Sequence, residues 1–488
     1  MKPFRKSPNR AGYALVLAWL FSTSVVQPQP LKSAVVFKDQ TAALGLTLGA
    51  DAACWADIDN DGWVDLCASG VVWKNNAGKS FTRFADTGCV IAADFDNDGF
   101  VDLFSYSRMK LYHNDGGKGF SECPLPELSR TVSRGACWGD FNGDGFVDLY
   151  IGGYEDWDAG ITYPSLILIN DHGKSFKLIF TDSRYRTRGV TACDFNRDGH
   201  LDVYVSNYRL QPNLLLLNDG SGRFKDVAAE FNTVATSPGF EGGHSIGACW
   251  ADFDNDGEFD LFAGNFAHVD DRGDQPKSRF LRNLGAKQGC HFQDLGTCGV
   301  FYQESYASPA AGDYDNDGNL DLFFTTVYAN ASFNKKNYPV LYHNQGGFGF
   351  TDATATAGLS ELGPTYQAAW ADFNHDGHLD LVTCGKLFVN QGSGNKWIEV
   401  HLAGDGHTVN RSTIGAQVRI KLKDKILTRQ VEAGTGEGNQ NDLVLHFGLG
   451  TCDESVSLEI FWPNGTFQTV KDVGTNRLID EQFKSQHK

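Results

Sequence analysis

One nine-residue pattern, D-x-[DN]-x-D-G-x-x-D, returns seven times in this chain of 488 residues. The copies are DIDNDGWVD at Asp57, DFDNDGFVD at Asp94, DFNGDGFVD at Asp140, DFNRDGHLD at Asp194, DFDNDGEFD at Asp252, DYDNDGNLD at Asp313 and DFNHDGHLD at Asp372. Self-similarity of this kind marks a repeat architecture and limits the fold before any other argument. Each copy follows a short apolar run such as ACWA and precedes another such as LFAGN or LYIGG. A strand ending in Asn and glycines comes next (LYHNDGGKGF, LLLLNDGSGRF), and then an F-x-D segment. That makes about four short strands per unit, separated by Gly, Asn and Asp turns. Successive first aspartates lie 37, 46, 54, 58, 61 and 59 residues apart, a spacing suited to the four-stranded blades of a β-propeller. The 55 glycines and 2 methionines fit short strands and tight turns better than packed helices.

FKDQTAALGL, from Phe37 to Leu46, has the form of a unit's end but precedes the first aspartate loop. The seventh unit stops at LFVNQGSGNKW and lacks that end. The expectation is an all-β, seven-bladed propeller over residues 35–392, with the N-terminal strand completing the last blade. An open β-solenoid is the alternative.

The repeated loop has one strong chemistry. Calcium takes six to eight oxygens from carboxylates, carbonyls and water. Alternate positions 1, 3 and 5 aim side chains inward, glycine at 6 permits the sharp turn, and position 9 adds a carboxylate. The expected ligands are Asp57, Asp59, Asp61 and Asp65; Asp94, Asp96, Asp98 and Asp102; Asp140, Asn142, Asp144 and Asp148; and Asp194, Asn196, Asp198 and Asp202. They continue with Asp252, Asp254, Asp256 and Asp260; Asp313, Asp315, Asp317 and Asp321; and Asp372, Asn374, Asp376 and Asp380, for up to seven Ca²⁺. An EF-hand would need Glu at position 12, where Ala68, Ser105 and Ile151 stand. Zinc would need His or Cys, which the loops lack as ligands at these positions. Metal-free Asp/Asn turns are disfavoured, because carboxylates at 4 Å repel by roughly 1 kcal/mol per pair even in water. The three loops with Asn at position 3 are expected to bind less well, and the Asp194 loop, which carries Arg197, most weakly.

The formal net charge is −18 and no basic patch interrupts it, which excludes nucleic acid as a partner. Lys2, Arg5, Lys6 and Arg10 precede an apolar run from Ala11 to Val26. The run is shorter than the ~20 residues that cross a bilayer, so residues 1–30 read as a signal peptide, with a short anchor as the alternative. The body of the chain is then secreted, extracellular or periplasmic, without a transmembrane span, and a monomer. Eleven cysteines cannot all pair internally. Cys54, Cys137 and Cys249 share one repeat position with Ile91, Thr191, Ala310 and Ala369, as small buried residues do. Cys290 and Cys298 are near enough in sequence to bridge.

The repeats resemble the FG-GAP/VCBS repeats of integrin-α-type propellers. The tail, residues 395–483, resembles the ASPIC/UnbV domain of the cartilage acidic protein family through NKWIEVHL, VNRSTIGAQV, VEAGTGEGNQND, LHFGLG and FWPNG. It departs from that pattern at Glu437, usually aromatic, and at Asn439, usually Ser. The resemblance implies an extracellular, calcium-stabilised binding or adhesion module. Read by itself, the tail alternates apolar and polar residues as a small β-sandwich does. Its polar residues at motif positions, Arg411, Gln440, Asn441 and His446, either hydrogen-bond loops or line a ligand groove.

Catalytic motifs are sparse. GHSIG at Gly243–Gly247 spells G-x-S-x-G but leads into a strand rather than from strand to helix, as a nucleophile elbow requires. Arg272–Asp274 spells RGD, a tripeptide too short to carry an inference. Propeller geometry instead places the residues before each inner strand around the mouth opposite the aspartate loops. Arg134, Arg188, His244, Tyr306 and Tyr366 are therefore candidate ligand-binding residues, beside insertions at Tyr154–Pro164 and Asn265–Arg279. Two functions remain open: a secreted protein binding an extracellular protein or carbohydrate, or a secreted hydrolase, lyase or cyclase with its site at the mouth.

Overall fold

A computed structural model describes residues 35–270, 273–423 and 425–484, leaving aside the side chain of Asp270. The N-terminal leader proposed from sequence and Arg272 of the RGD triplet lie outside the described residues. Seven four-stranded antiparallel sheets make up the repeat region. Their first strands are Ala53–Ala56, Val90–Ala93, Ser133–Gly139, Thr187–Cys193, His244–Ala251, Tyr306–Gly312 and Ala368–Ala371. Each of these touches the next, and the last touches the first, so the sheets stand as blades around one axis. Numbered in chain order, blade seven takes its outer strand from Phe37–Asp39, which pairs with Lys386–Asn390 from Phe37 opposite Asn390 to Asp39 opposite Phe388. The N-terminal strand does close the ring.

Inner strands are buried on both faces, so their apolar runs do not alternate with polar residues. The core lies between blades. Phe195, Tyr204, Trp250 and Phe292 fill the space between blades four and five, and Phe253, Phe280, Phe324 and Phe350 that between five and six. Each such aromatic contributes on the order of 1.5–3 kcal/mol by leaving water. Among the described residues, no helix is long and apolar enough to cross a membrane.

A buried asparagine staples each blade to the one before it. This residue ends the third strand: Asn75, Asn114, Asn170, Asn218, Asn283, Asn344 and Asn390. The Nδ2 of Asn114 donates to the Ile58 carbonyl of blade one, and that of Asn170 to Phe95 of blade two, both at 2.7 Å. The pattern runs on through Asn218 to Phe141, Asn283 to Phe195, Asn344 to Phe253 and Asn390 to Tyr314. Asn75 donates to Phe373 at 2.9 Å, joining blade one to blade seven.

The tail forms two further sheets. Lys396–Ala403 lies between Leu445–Gly450 and a parallel Arg477–Gln482. The other sheet runs in the order Lys425–Gln430, Gln417–Leu422, Val456–Phe461, Phe467–Val473. All eleven cysteines are free. Cys290 and Cys298 therefore do not bridge, while Cys54, Cys137 and Cys249 are buried as expected.

Candidate metal centres and channel mouth

Each aspartate loop is shaped by its own carboxylates. The first Asp accepts the N–H of the glycine five residues on, as from Gly62 to Asp57 at 2.9 Å, Gly99 to Asp94 at 2.8 Å and Gly145 to Asp140 at 2.9 Å. That glycine has φ between +81° at Gly377 and +97° at Gly99, a backbone that a side chain would strain. The ninth residue is the deepest. Asp102 accepts the N–H of Phe95 and of Asn114, and Asp148 those of Phe141 and Asn170. The last aspartate thus ties the loop to the stapling asparagine.

These loops fit a cation. Oxygens of Asp57, Asp59, Asp254, Asp202 and Asp380 are buried with no hydrogen-bond partner. Asp94, Asp96 and Asp102, and likewise Asp252, Asp254 and Asp260, bring ligand oxygens within 4.8 Å of one another. Burial, with neighbouring aspartates adding repulsion, pushes Asp94 up to about 7, Asp252 and Asp321 to about 8, and Asp102 to about 9. A divalent ion would return these carboxyls to their charged form, and an all-oxygen set of this kind suits Ca²⁺. His343 faces the Asp321 carboxylate at 3.2 Å, and that hydrogen bond raises its imidazole to about 9.

The channel contains the tail. The segment 430–442 meets the inner strand of every blade. Gln440 forms backbone bonds with Ala53 and Trp55, and its side chain both accepts from and donates to Ala92. Ala433 accepts from Trp138, Gln430 donates to Ala192, and Gly436 donates to Ala248. Ser308 supports Glu437 and Asn439, whose Oδ1 also takes the N–H of Ala368, and Asn441 accepts from Trp370. Gly436, at φ +58°, leaves no room for a side chain: an added Cβ would lie 2.2 Å from Ser308 Oγ. The two tail sheets rest on the aspartate-loop end, where Ser412 accepts from Asp94 N–H and Ile426 donates to Asn255.

At the far mouth the tip of this plug meets the sequence-predicted candidates. Arg188 is 6% exposed and binds Glu437 Oε1 through Nε at 2.8 Å and Nη2 at 2.6 Å. Its guanidinium lies 4.8 Å from the ring of Tyr154, 5.5 Å from Tyr208 and 5.2 Å from Tyr366. Arg134 is exposed, its guanidinium 5.7 Å from the ring of Tyr154. His244 is buried, its ring 4.8 Å from Tyr208 and 5.2 Å from His268. Burial raises the Glu437 carboxyl, while Arg188 draws it down. Both insertions lie at this end: Glu155 of the first binds Arg186 and Arg209, and His268 of the second pairs with Glu304.

Tyr306 does not join the mouth. It is buried between blades five and six, stacked on Phe324 at 4.2 Å, with its hydroxyl 2.6 Å from that of Tyr342. Two of the tail candidates are seam residues rather than parts of an open groove. Gln440 is buried in the channel, and His446 bonds the Gly377 carbonyl at 3.2 Å, burial pushing its imidazole down to about 3. Arg411 is exposed beside the Asp94 loop, its N–H on Asn97 Oδ1. Ser245 of the GHSIG motif is buried in an inner strand, bonded to Asn265 and Asn213, with no elbow. A cavity of about 100 Å³ lies in the seam, with Glu399, Arg429, Glu432 and His446 in its wall.

Residues 94–151, 194–263 and 313–383 match the FG-GAP-like repeat family, and residues 406–485 match the ASPIC and UnbV family. The chain is an FG-GAP-repeat protein with an ASPIC/UnbV domain. It is similar to cartilage acidic protein 1 of Mus musculus, 27% identical over 352 residues, covering 67% of this chain and 51% of that protein. The Homo sapiens protein of that name is 27% identical over 293 residues, 57% of this chain and 41% of its own length. The chain thus spans about half the length, or less, of these curated relatives. Among solved structures, BBS1N in complex with ARL6DN aligns with a TM-score of 0.44 at 11% identity, over 74% of this chain and 97% of that one. Rhamnogalacturonan lyase YesW aligns at 0.39 and 14% identity, over 70% and 71%. In this FG-GAP protein the ASPIC/UnbV tail supplies the plug.

Proposed function

We propose that the protein is a secreted, calcium-stabilised binding module that holds an extracellular protein or carbohydrate at the rim of its channel mouth. The observation that carries this reading is the plug. An enzyme working in the mouth would need an open chamber and free titratable groups. Here Arg188 is spent on Glu437, and His244 and Tyr306 are buried. The rim beyond the plug is open and aromatic, with Trp157 65% exposed, Tyr328 58% and Phe333 82%. Arg209 braces Trp157 from 3.9 Å, and Phe266 packs edge-on against Tyr328 at 5.6 Å. Trp157 and Tyr328 are thus braced as well as exposed, and braced aromatic side chains are the ones that dominate binding energy at interfaces.

Calcium acts in this reading as structure. Each loop would hold the ion through positions 1, 3, 5 and 9, neutralising carboxylates that otherwise repel across a buried turn. The test is capture of partners from extracellular fluid, and of immobilised glycans, by the wild-type chain and by Trp157→Ala, Tyr328→Ala and Phe333→Ala. The expected result is a shared partner weakened at least tenfold by one of these substitutions, with unchanged thermal midpoints. Capture equal across all four proteins would remove the rim from the proposal. Turnover of a substrate, abolished by Arg134→Ala in a folded protein, would favour the enzyme instead.

A further inference from the structure

The seven loops are of two kinds, and the difference is matched across space. Four have Asp at position 3: Asp59, Asp96, Asp254 and Asp315. Three have Asn there: Asn142, Asn196 and Asn374. The facing residue is the one before the stapling asparagine on each blade's third strand. Opposite the four aspartates it is Lys74, His113, Arg282 and His343; opposite the three asparagines it is Ile169, Leu217 and Val389. No blade mixes the two kinds.

The contacts explain the match. Lys74 pairs with Asp59 Oδ2, and Arg282 with Asp254 Oδ2 at 2.7 Å and Asp256 Oδ2 at 3.0 Å. His113 lies 3.3 Å from Asp96 Oδ2 and 3.4 Å from Asp98 Oδ2, and His343 3.9 Å from Asp315. The Oδ1 atoms of Asp59 and Asp254 are left buried and without a partner. One oxygen is held by the base and the other is free to face a cation. In the Asn loops the amide takes over the outer role, Asn142 donating to Asp144 at 3.0 Å and Asn196 to Asp198 at 2.8 Å. There the Oδ2 atoms of Asp202 and Asp380, wholly buried, have no partner.

We infer that the third-strand base is a positioning residue for the position-3 carboxylate and, where it is Lys74 or Arg282, a built-in counter-charge, so that those loops present the same net charge to Ca²⁺ as the Asn loops. This rests on the calcium reading above and refines it. Four carboxylates with one Lys or Arg carry the same formal charge as three carboxylates with none. Partners behind a metal ligand fix its orientation and tune the site. The Asn loops are therefore not the weak ones, contrary to expectation from sequence. Arg197, expected to weaken the Asp194 loop, turns away to Glu258 at 2.7 Å.

The test uses blade five in the full chain: Arg282→Leu, Asp254→Asn and the double variant, with thermal midpoints measured in excess Ca²⁺ and in chelator. Arg282→Leu strands an uncompensated carboxylate, so its midpoint falls further in chelator than in Ca²⁺, where the ion supplies the missing charge. The double variant, which rebuilds the Asn kind of loop, recovers most of that loss in chelator. Asp254→Asn alone leaves Arg282 facing three carboxylates and weakens one Ca²⁺ site in a direct titration. A plain ion pair would lower the midpoint equally in both conditions; that result, or a double variant no better than Arg282→Leu, overturns the inference. A wild-type midpoint that ignores Ca²⁺ would instead overturn the calcium reading on which it stands.

Discussion

Arg188 and Glu437 lie 249 positions apart in the chain and meet where both are buried. A buried pair of this kind adds little net stability, but removing one partner leaves a charge with nothing to balance it. Arg188→Ala is expected to cost about 3–5 kcal/mol in denaturant unfolding, with Glu437 Oε1 losing both of its bonds to the guanidinium. Adding Glu437→Gln should recover part of that loss, since the two positions are coupled rather than additive. A double variant as unstable as the sum of two independent losses would mean that the pair does not hold the plug. The stapling asparagines offer a second test at this scale. Asn218→Ala orphans the Leu201 carbonyl, to which its Nδ2 donates at 3.1 Å, and leaves the Phe141 carbonyl, 2.9 Å from Nδ2, with the Gly222 N–H alone. An orphan costs roughly 1–3 kcal/mol, and the loss should appear as a lower denaturant midpoint; an unchanged midpoint would remove the staple from the account.

At the level of elements, local chemistry was legible and remote chemistry was not. The aspartate loops announce themselves because every determinant lies within nine residues and recurs. Closure by Phe37–Asp39 was legible too, since a unit's end stood before its beginning. The plug left no such trace. EAGTGEGNQN carries no repeat or strand period, and its partners lie far off in sequence: Asn439 Oδ1 takes the Ala53 N–H across 386 positions, and Tyr106 reaches Gly438 across 332. Glu437 and the unbroken Gly-x-Gly-x-Gly spacing were the only hints. The Asn at each third-strand end was visible but read as a turn former, because its role depends on the neighbouring blade. Tyr306 was misplaced because residues before an inner strand alternate between mouth and core, and strand register cannot be read from one chain.

The plug also gives the molecule a pH signature. Burial pushes Glu432 from the ordinary 4.5 up to about 8, with Asn441 opposing. A carboxyl raised in the folded state contributes stability that is fully present below its unfolded value and lost as pH climbs through the folded one. In excess Ca²⁺, stability is therefore expected to decline between about pH 4.5 and 8 and to level off above that, and Glu432→Gln to flatten the decline. An identical slope across that window in the variant would move the effect elsewhere.

Across the whole molecule, charge and fold are one question. Of the 60 acids, 25 stand at the ligand positions of the seven loops, ringed around the end of the propeller on which the tail rests. Without cations, burial favours their protonated forms, as at Asp102 and Asp321. On the calcium reading proposed above, cations would fix the loops that end the inner strands as a seat for the tail, whose plug fills the channel. Anything bound by the native state alone stabilises it by mass action, so chelation should lower the thermal midpoint and loosen blades and tail together. The most direct test is native mass spectrometry of the full chain in Ca²⁺, with thermal unfolding alongside. The account predicts a series of calcium adducts ending at seven ions per chain and a midpoint that rises as they fill; a chain that binds none, with a midpoint indifferent to chelator, would contradict it.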